Sequence, residues 1–187
     1  GVGRMISVWR HARPDQVIGR CIGRTDVTVD PRRSRRLAHR IRALARRQGA
    51  PRVIWTSPLR RCADVGRCLS RWGWTHRIDP RLLEVDFGRW DGLAWDDIGP
   101  QEVDAWCRDL GDHAPGGGES VVMLMARCAS FIGEHPDAWI VGHAGWMNAA
   151  ARVLAGSGPP REPGDWPPGP RYGALWRASS EGGAESQ

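Results

Sequence analysis

Short apolar runs alternate along the chain with segments of helical period. Residues 5–9, 53–55 and 138–141 are brief and continuously apolar, as strands covered on both faces of a parallel sheet are. Each is followed by a loop and a helix-like segment. After the first run, residues 19–29 read as an irregular loop. Asp30 then offers a helix N-cap and Pro31 the first helical position, Leu37, Ile41, Leu44 and Ala45 recur at helical spacing, and Gly49 ends the helix. Arginines at 32, 33, 35, 36, 40, 42, 46 and 47 fill its other positions and predict a solvated face.

The second strand leads through Ser57-Pro58 into a helix over 61–72. A strand near Ile78 precedes a glycine-bearing loop over 82–92. Residues 96–110 read as helix with Ile98, Val103 and Trp106 buried, Gly99-Pro100 interrupting its first turn. Residues 115–120 predict a loop opening into an apolar helix over 121–132. The third strand is followed by a helix over 146–154, a Pro/Gly-rich irregular stretch over 156–170 and a last strand over 173–177. Residues 1–4 and 179–187 read as frayed ends of a single domain covering 1–187. Alternation of this kind predicts an α/β fold, a central sheet with helices on both faces.

Such sheets bind ligands beyond the carboxyl ends of their strands. The three strands end in Arg10-His11, in Ser57-Pro58-Leu59-Arg60 and in Gly142-His143. If the strands are parallel, two arginines and two histidines meet at one sheet edge, beside helix N-termini whose N–H groups point outward. That set suits a tetrahedral anion, because guanidinium forks match phosphate oxygens and neutral imidazole attacks phosphorus near pH 7. One histidine then attacks while the other, protonated, donates to a phosphate oxygen. A carboxyl group must protonate the leaving alcohol and later take a proton from water. Glu84 is the first candidate, Asp86 the second and Asp91 the third.

Composition narrows the classes. The 187 residues carry a net charge of +6, and arginine supplies all 27 cationic side chains, since there is no lysine. With abundant glycine, alanine and proline, this reads as compositional bias on a solvated surface rather than a nucleic-acid footprint, although it steers small phosphorylated substrates. Five cysteines at 21, 62, 68, 107 and 128 show no C-x-x-C spacing and predict free thiols in a reducing compartment. No run is long enough for a membrane span and residues 1–4 have no apolar signal-peptide centre behind them, so a cytoplasmic protein is expected. The histidines at 11, 39, 76, 113, 135 and 143 form no H-x-H or H-E-x-x-H pattern, and no metal is expected.

Five ordered blocks resemble the histidine phosphatase superfamily, also called phosphoglycerate-mutase-like, in its branch of α-ribazole phosphatases of cobalamin biosynthesis. Arg10-His11 resembles its Arg-His-Gly signature, and residues 57–62 its Ser-Pro-Leu-x-Arg-Ala segment. Residues 83–92 are similar to its acid-bearing loop, 115–120 to its Pro-Gly-Gly-Glu-Ser segment, and 141–143 to its second histidine block. The resemblance implies a three-layer α/β/α sandwich with a mostly parallel sheet and no cofactor. It implies that His11 becomes phosphohistidine, that Arg10, Arg60 and His143 hold the phosphoryl group, that inorganic phosphate or sulfate fits the site, and that Glu84 is acid and then base. It extends substrate contact to Arg24 in the loop 19–26. Trp90, inside the acid loop, is the tryptophan expected to line the pocket.

Three departures mark the substrate end: Ala12 stands where glycine is usual, Arg13-Pro14 where Glu-Thr is usual, and no asparagine lies near Val17. The expected activity is hydrolysis of a small phosphorylated metabolite, with α-ribazole 5′-phosphate as candidate. The rival readings are mutase-type phosphoryl transfer and a non-catalytic module binding phosphate or nucleic acid.

Overall fold

The structure is a computed structural model that describes residues 4–179 and the backbone of 184–186. Its first strand, β1 (Ile6–Arg10), is followed by α1 (Pro31–Gln48). Asp30 caps α1 by accepting from the Arg32 N–H, Pro31 takes the first turn, and Gly49 closes the helix in the left-handed region at φ 61°. Six of its eight arginines are exposed, and Leu37, Ala38, Ile41 and Ala45 face the core. β2 (Val53–Thr56), α2 (Arg60–Arg71) and β3 (Thr75–Ile78) follow.

After a loop with three short 3₁₀ turns come α3 (Pro100–Arg108) and α4 (Val121–Glu134), then β4 (Trp139–Gly142) and α5 (Ala144–Leu154), and last β5 (Leu175–Ala178) and β6 (Ala184–Ser186). The sheet order is β3-β2-β4-β1-β5-β6. The first four strands in that order are parallel, and β5 and β6 are antiparallel additions at the β1 edge.

Alternate residues of the strands feed two cores. Ile6, Val8 and Ile140 pack with Leu124, Phe131 and Trp146 of α4 and α5. Trp9, Ile54, Val141 and Leu175 pack with Leu37, Ile41, Val65 and Leu69 of α1 and α2. The expected three-layer α/β/α sandwich with a mostly parallel sheet is therefore the observed one.

Some predicted boundaries move. Pro100 does not break a helix but starts α3, because proline is tolerated where the backbone N–H has no intrahelical partner. Ile98 is buried, while Val103 and Trp106 are half-buried against it. The loop 115–120 contains a single 3₁₀ turn, Pro115–Gly117. Of the predicted tail, Ala184–Ser186 instead pairs with β5 as a sixth strand; residues 180–183 and 187, like 1–3, lie outside the described residues. All five cysteines are free, four of them buried. Among the described residues no helix is long and apolar enough to cross a membrane.

Candidate active site

Strand register brings the two histidines together. Arg10 of β1 stands opposite Gly142 of the parallel strand β4, so the residues that follow, His11 and His143, leave the sheet side by side. The His11 N–H donates to the Gly142 carbonyl at 3.1 Å. The two imidazoles lie 5.3 Å apart, edge to face. His11 also lies 5.8 Å from the Tyr172 ring.

The tautomer of His11 follows from its neighbours. Its Nδ1 lies 2.8 Å from the Ala12 carbonyl, which can only accept, so Nδ1 carries the proton and Nε2 keeps a free lone pair. Burial, then the positive charge of Arg61, lowers the His11 pKa to about 3. The ring is therefore neutral and nucleophilic at neutral pH.

His143 is wholly buried, and burial followed by Arg61 and His11 holds its pKa well below the ordinary imidazole value. Its Nε2 lies 2.8 Å from Ser57 Oγ and 3.4 Å from Cys62 Sγ. Burial pushes the Cys62 thiol up to about 12, so that sulfur keeps its proton. Ser57 Oγ already accepts from the Leu59 N–H. The second histidine, expected to be protonated, is instead held neutral, because burial and the neighbouring positive charge disfavour imidazolium.

Glu84 reaches the same cavity from the loop after β3. It is buried, its Oε2 accepts from the Gly145 N–H at 3.0 Å, and its Oε1 accepts from the Trp146 N–H at 3.1 Å and its neighbour Val85 N–H at 3.0 Å. The first turn of α5 is thereby capped by a distant carboxylate in place of a side chain from His143, which makes no cap bond. A Cβ added at residue 145 would meet Glu84 Oε1, so any side chain there has to displace the carboxylate.

A buried ion pair holds the Glu84 backbone. Arg127 of α4 meets both oxygens of Glu119 at 2.8 Å and donates to the Arg81, Leu83 and Glu84 carbonyls. Glu119 receives the Asp86 N–H, and its own N–H donates to the Asp86 carbonyl at 2.7 Å. Gly118 makes this backbone approach possible, because a side chain there would strike the Asp86 carbonyl. The sequence block around Glu119 thus serves the acid loop.

The arginines need a correction. Arg60 does not reach the site: it is exposed and its Nε lies 3.3 Å from Asp26. Its neighbour Arg61 is only 2% exposed, donates to the Thr25 carbonyl at 2.7 Å and to the Gly23 carbonyl, and lines the cavity. Successive helical residues are turned by about 100°, so at the start of α2 only one of the two can point inward. The signal was present, since in the Ser57-Pro58-Leu59-x-Arg pattern the fifth position is Arg61.

Arg61 has no carboxylate within ion-pair distance among the described residues. A buried guanidinium without a counter-charge awaits an anion. Arg10 donates to the Pro170 carbonyl at 2.8 Å and lies 3.9 Å from the Tyr172 ring centre, while its Nε is buried without a partner. Burial lowers the Arg10 pKa, with Tyr172 and Glu84 opposing.

The other acidic candidates have different tasks. Asp91 accepts from the N–H groups of Gly23, Arg24 and Thr25 and so ties the acid loop to the loop after β1. Asp86 turns outward to Arg24, 3.8 Å away, and accepts from the Gly88 N–H. Arg24 itself is taken up by Asp86 and the Glu84 carbonyl and does not line the cavity, where Arg20 stands instead. Trp90 is also absent from the lining. Its ring is 3% exposed and turned inward beside Trp106, with ring centres 5.8 Å apart, Cys21 and Ile98 completing the cluster. Trp95, Trp106 and Trp166 form the aromatic wall in its place.

The cavity holds about 520 Å³. Arg10, His11, Arg61 and Glu84 lie at its polar end, with Ile22, Phe87, Asn148 and the three tryptophans around the rest.

The sequence profile of the histidine phosphatase superfamily (branch 1) matches residues 6–168. The chain belongs to that superfamily.

Within the superfamily, it is 33% identical over 136 residues to glucosyl-3-phosphoglycerate phosphatase of Mycobacterium tuberculosis. That match takes in 70% of this chain and 60% of the relative, so the chain spans about three fifths of the length of its curated relatives. The structure of a mycobacterial glucosyl-3-phosphoglycerate phosphatase with inorganic phosphate superposes with a TM-score of 0.74 at 28% identity, over 93% of this chain and 88% of that one. The α-ribazole phosphatase of Shigella flexneri shares the fold, with a TM-score of 0.75 at 22% identity over 92% and 89%.

Proposed function

We propose that the chain is a phosphomonoesterase acting through phosphohistidine on a small phosphorylated metabolite. The observation that carries the reading is the bare Nε2 of a neutral His11, in one cavity with Glu84 and with the Arg61 guanidinium, which has no carboxylate partner among the described residues.

The phosphoryl group lies against Arg10 and Arg61, whose donors meet charge spread over its oxygens. His143, whose ring lies 5.3 Å from that of His11, is the further group proposed to contact the phosphoryl group. His11 Nε2 attacks phosphorus, and the bond to the leaving oxygen breaks as Glu84 supplies its proton. In the second half, Glu84 takes a proton from a water that attacks the phosphohistidine, releasing inorganic phosphate and restoring neutral His11.

Two named relatives act on phosphate esters with sugar-containing bodies. The tryptophan wall beside the polar end suits such a body, through apolar contact with ring faces. Glucosyl-3-phosphoglycerate, acted on by the relative of higher identity, is the first substrate to test, and α-ribazole 5′-phosphate the second.

The experiment is a phosphate-release panel with both compounds, other sugar phosphates, nucleotides, 3-phosphoglycerate and an aryl phosphate, with His11→Ala as control. Release of phosphate by the native protein alone supports the reading. Isomerisation of 3-phosphoglycerate without release assigns a mutase, and release undiminished in His11→Ala removes the nucleophile.

A further inference from the structure

Behind the catalytic cavity, across a wall made by Arg10 and Tyr172, lies a second groove of about 650 Å³. Arg13 of the loop after β1, Arg33, Arg36 and Arg40 of α1, and Arg171 of the loop before β5 line it, with no acidic residue in the lining. Residues 33, 36, 37 and 40 share one face of α1 at spacings of three and four, where like charges repel one another. Three chain segments distant in sequence thus deliver five further guanidinium groups to one side of Arg10.

Their bonding divides them. Arg33 is fixed by Asp15 at 3.4 Å and by the Arg13 carbonyl at 3.2 Å. Arg40 donates to the Gly173 carbonyl at 2.7 Å, beneath a glycine held at φ 75°. Arg13, Arg36 and Arg171 are exposed and have no ion pair or hydrogen bond through their side chains among the described residues. The groove therefore has an anchored floor and three free cationic heads, against the single carboxylate of Asp15.

We infer that this groove is a second anion site that takes a compact polyanion with a chain of phosphates. Guanidinium forks bind phosphate oxygens in pairs, and several convergent forks need several adjacent phosphate groups. The charge is gathered in one cavity rather than spread in a stripe along the surface, which favours a compact ligand over an extended polynucleotide. The occupied groove abuts Arg10 and Tyr172, so the ligand would also report on the catalytic cavity; that consequence rests on the proposed function, and binding itself does not.

Binding is measured by calorimetry with tripolyphosphate, a nucleoside triphosphate and a short single-stranded oligonucleotide. Saturating inorganic phosphate is present to fill the catalytic cavity. Native protein and His11→Ala are expected to bind tripolyphosphate alike. The double variant Arg36→Glu/Arg171→Glu should bind it at least about tenfold more weakly, with unchanged phosphate release from an aryl phosphate and an unchanged melting temperature. The milder Arg36→Gln/Arg171→Gln should fall between the two.

Equal affinities for tripolyphosphate and the nucleoside triphosphate assign recognition to the phosphate chain alone, and tighter binding of the latter adds a contact for the nucleoside. Tripolyphosphate binding that is indifferent to both double variants overturns the second site. Tighter binding of the oligonucleotide than of tripolyphosphate overturns the compact ligand in favour of nucleic acid.

Discussion

Glu84 and Gly145, 61 residues apart, meet where the carboxylate Oε2 accepts the Gly145 N–H at 3.0 Å. One contact both caps α5 and holds the proposed acid beside the phosphate site. Replacing the carboxyl with an amide keeps an acceptor for the helix but removes the proton carrier. Because its NH₂ must then face a backbone N–H that the carboxylate had accepted, Glu84→Gln is expected to fold with a somewhat lower melting temperature and to lose roughly 10²- to 10⁴-fold in kcat. Gly145→Ala should displace the carboxylate, lowering kcat by about tenfold or more with little change in melting temperature. Steady-state kinetics beside thermal melts check both, and full activity in Glu84→Gln would remove it as the acid.

Arg60 and Arg61 give a contrast between adjacent residues. Arg61→Ala is expected to lower kcat/KM by about 10²-fold or more, because it strips charge from the phosphoryl group. Arg60→Ala loses only an exposed pair with Asp26, worth less than about 1 kcal/mol. Its activity should stay within a few-fold of native. The reverse ranking would return the phosphate-binding role to Arg60.

The histidines set a pH dependence of stability. In the unfolded chain His11 and His143 titrate near the ordinary value of about 6.5; folded, His11 falls to about 3 and His143 also moves down. Between those values the unfolded state binds more protons, so stability is complete above about pH 6.5 and declines as pH falls toward about 3. His11 contributes at most about 1.4 kcal/mol per pH unit within that window, and His143 acts in the same direction. Urea midpoints from pH 7 to 4 should decline less steeply in His11→Ala. Inorganic phosphate should raise the midpoint at every pH, since it binds the folded state alone.

The Glu119–Arg127 pair supports the acid loop from outside the cavity. Arg127→Ala leaves a buried carboxylate without its partner and frees three backbone carbonyls, a loss of about 3 kcal/mol or more. Glu119→Gln keeps one acceptor and should cost less. Equilibrium urea unfolding checks the order, and an Arg127→Ala protein as stable as the native one would contradict the assignment.

His11, His143 and Glu84 were legible in the sequence because each stands where a strand ends or a loop begins, and strand ends are marked by where apolar runs stop. Arg61 was misplaced by one residue, since an apolar run says where α2 begins but not which way its first turn faces. Trp90 was expected in the lining on proximity to the acid loop. The ring turns away because Cys21, Ile98 and Trp106, from distant segments, enclose it. The Glu119–Arg127 support of Glu84 had no local signal at all, as its backbone targets lie more than 30 residues away.

Apart from β6, the order of strands and helices, the α/β class and the places of the two histidines were determined by the sequence alone, through hydrophobic period and the residues that stop it. Tertiary structure decided which arginine is buried, which tryptophans form the wall and how Glu84 is held. Those choices depend on helix phase and on contacts between loops remote along the chain, and neither leaves a periodic trace in the residues themselves.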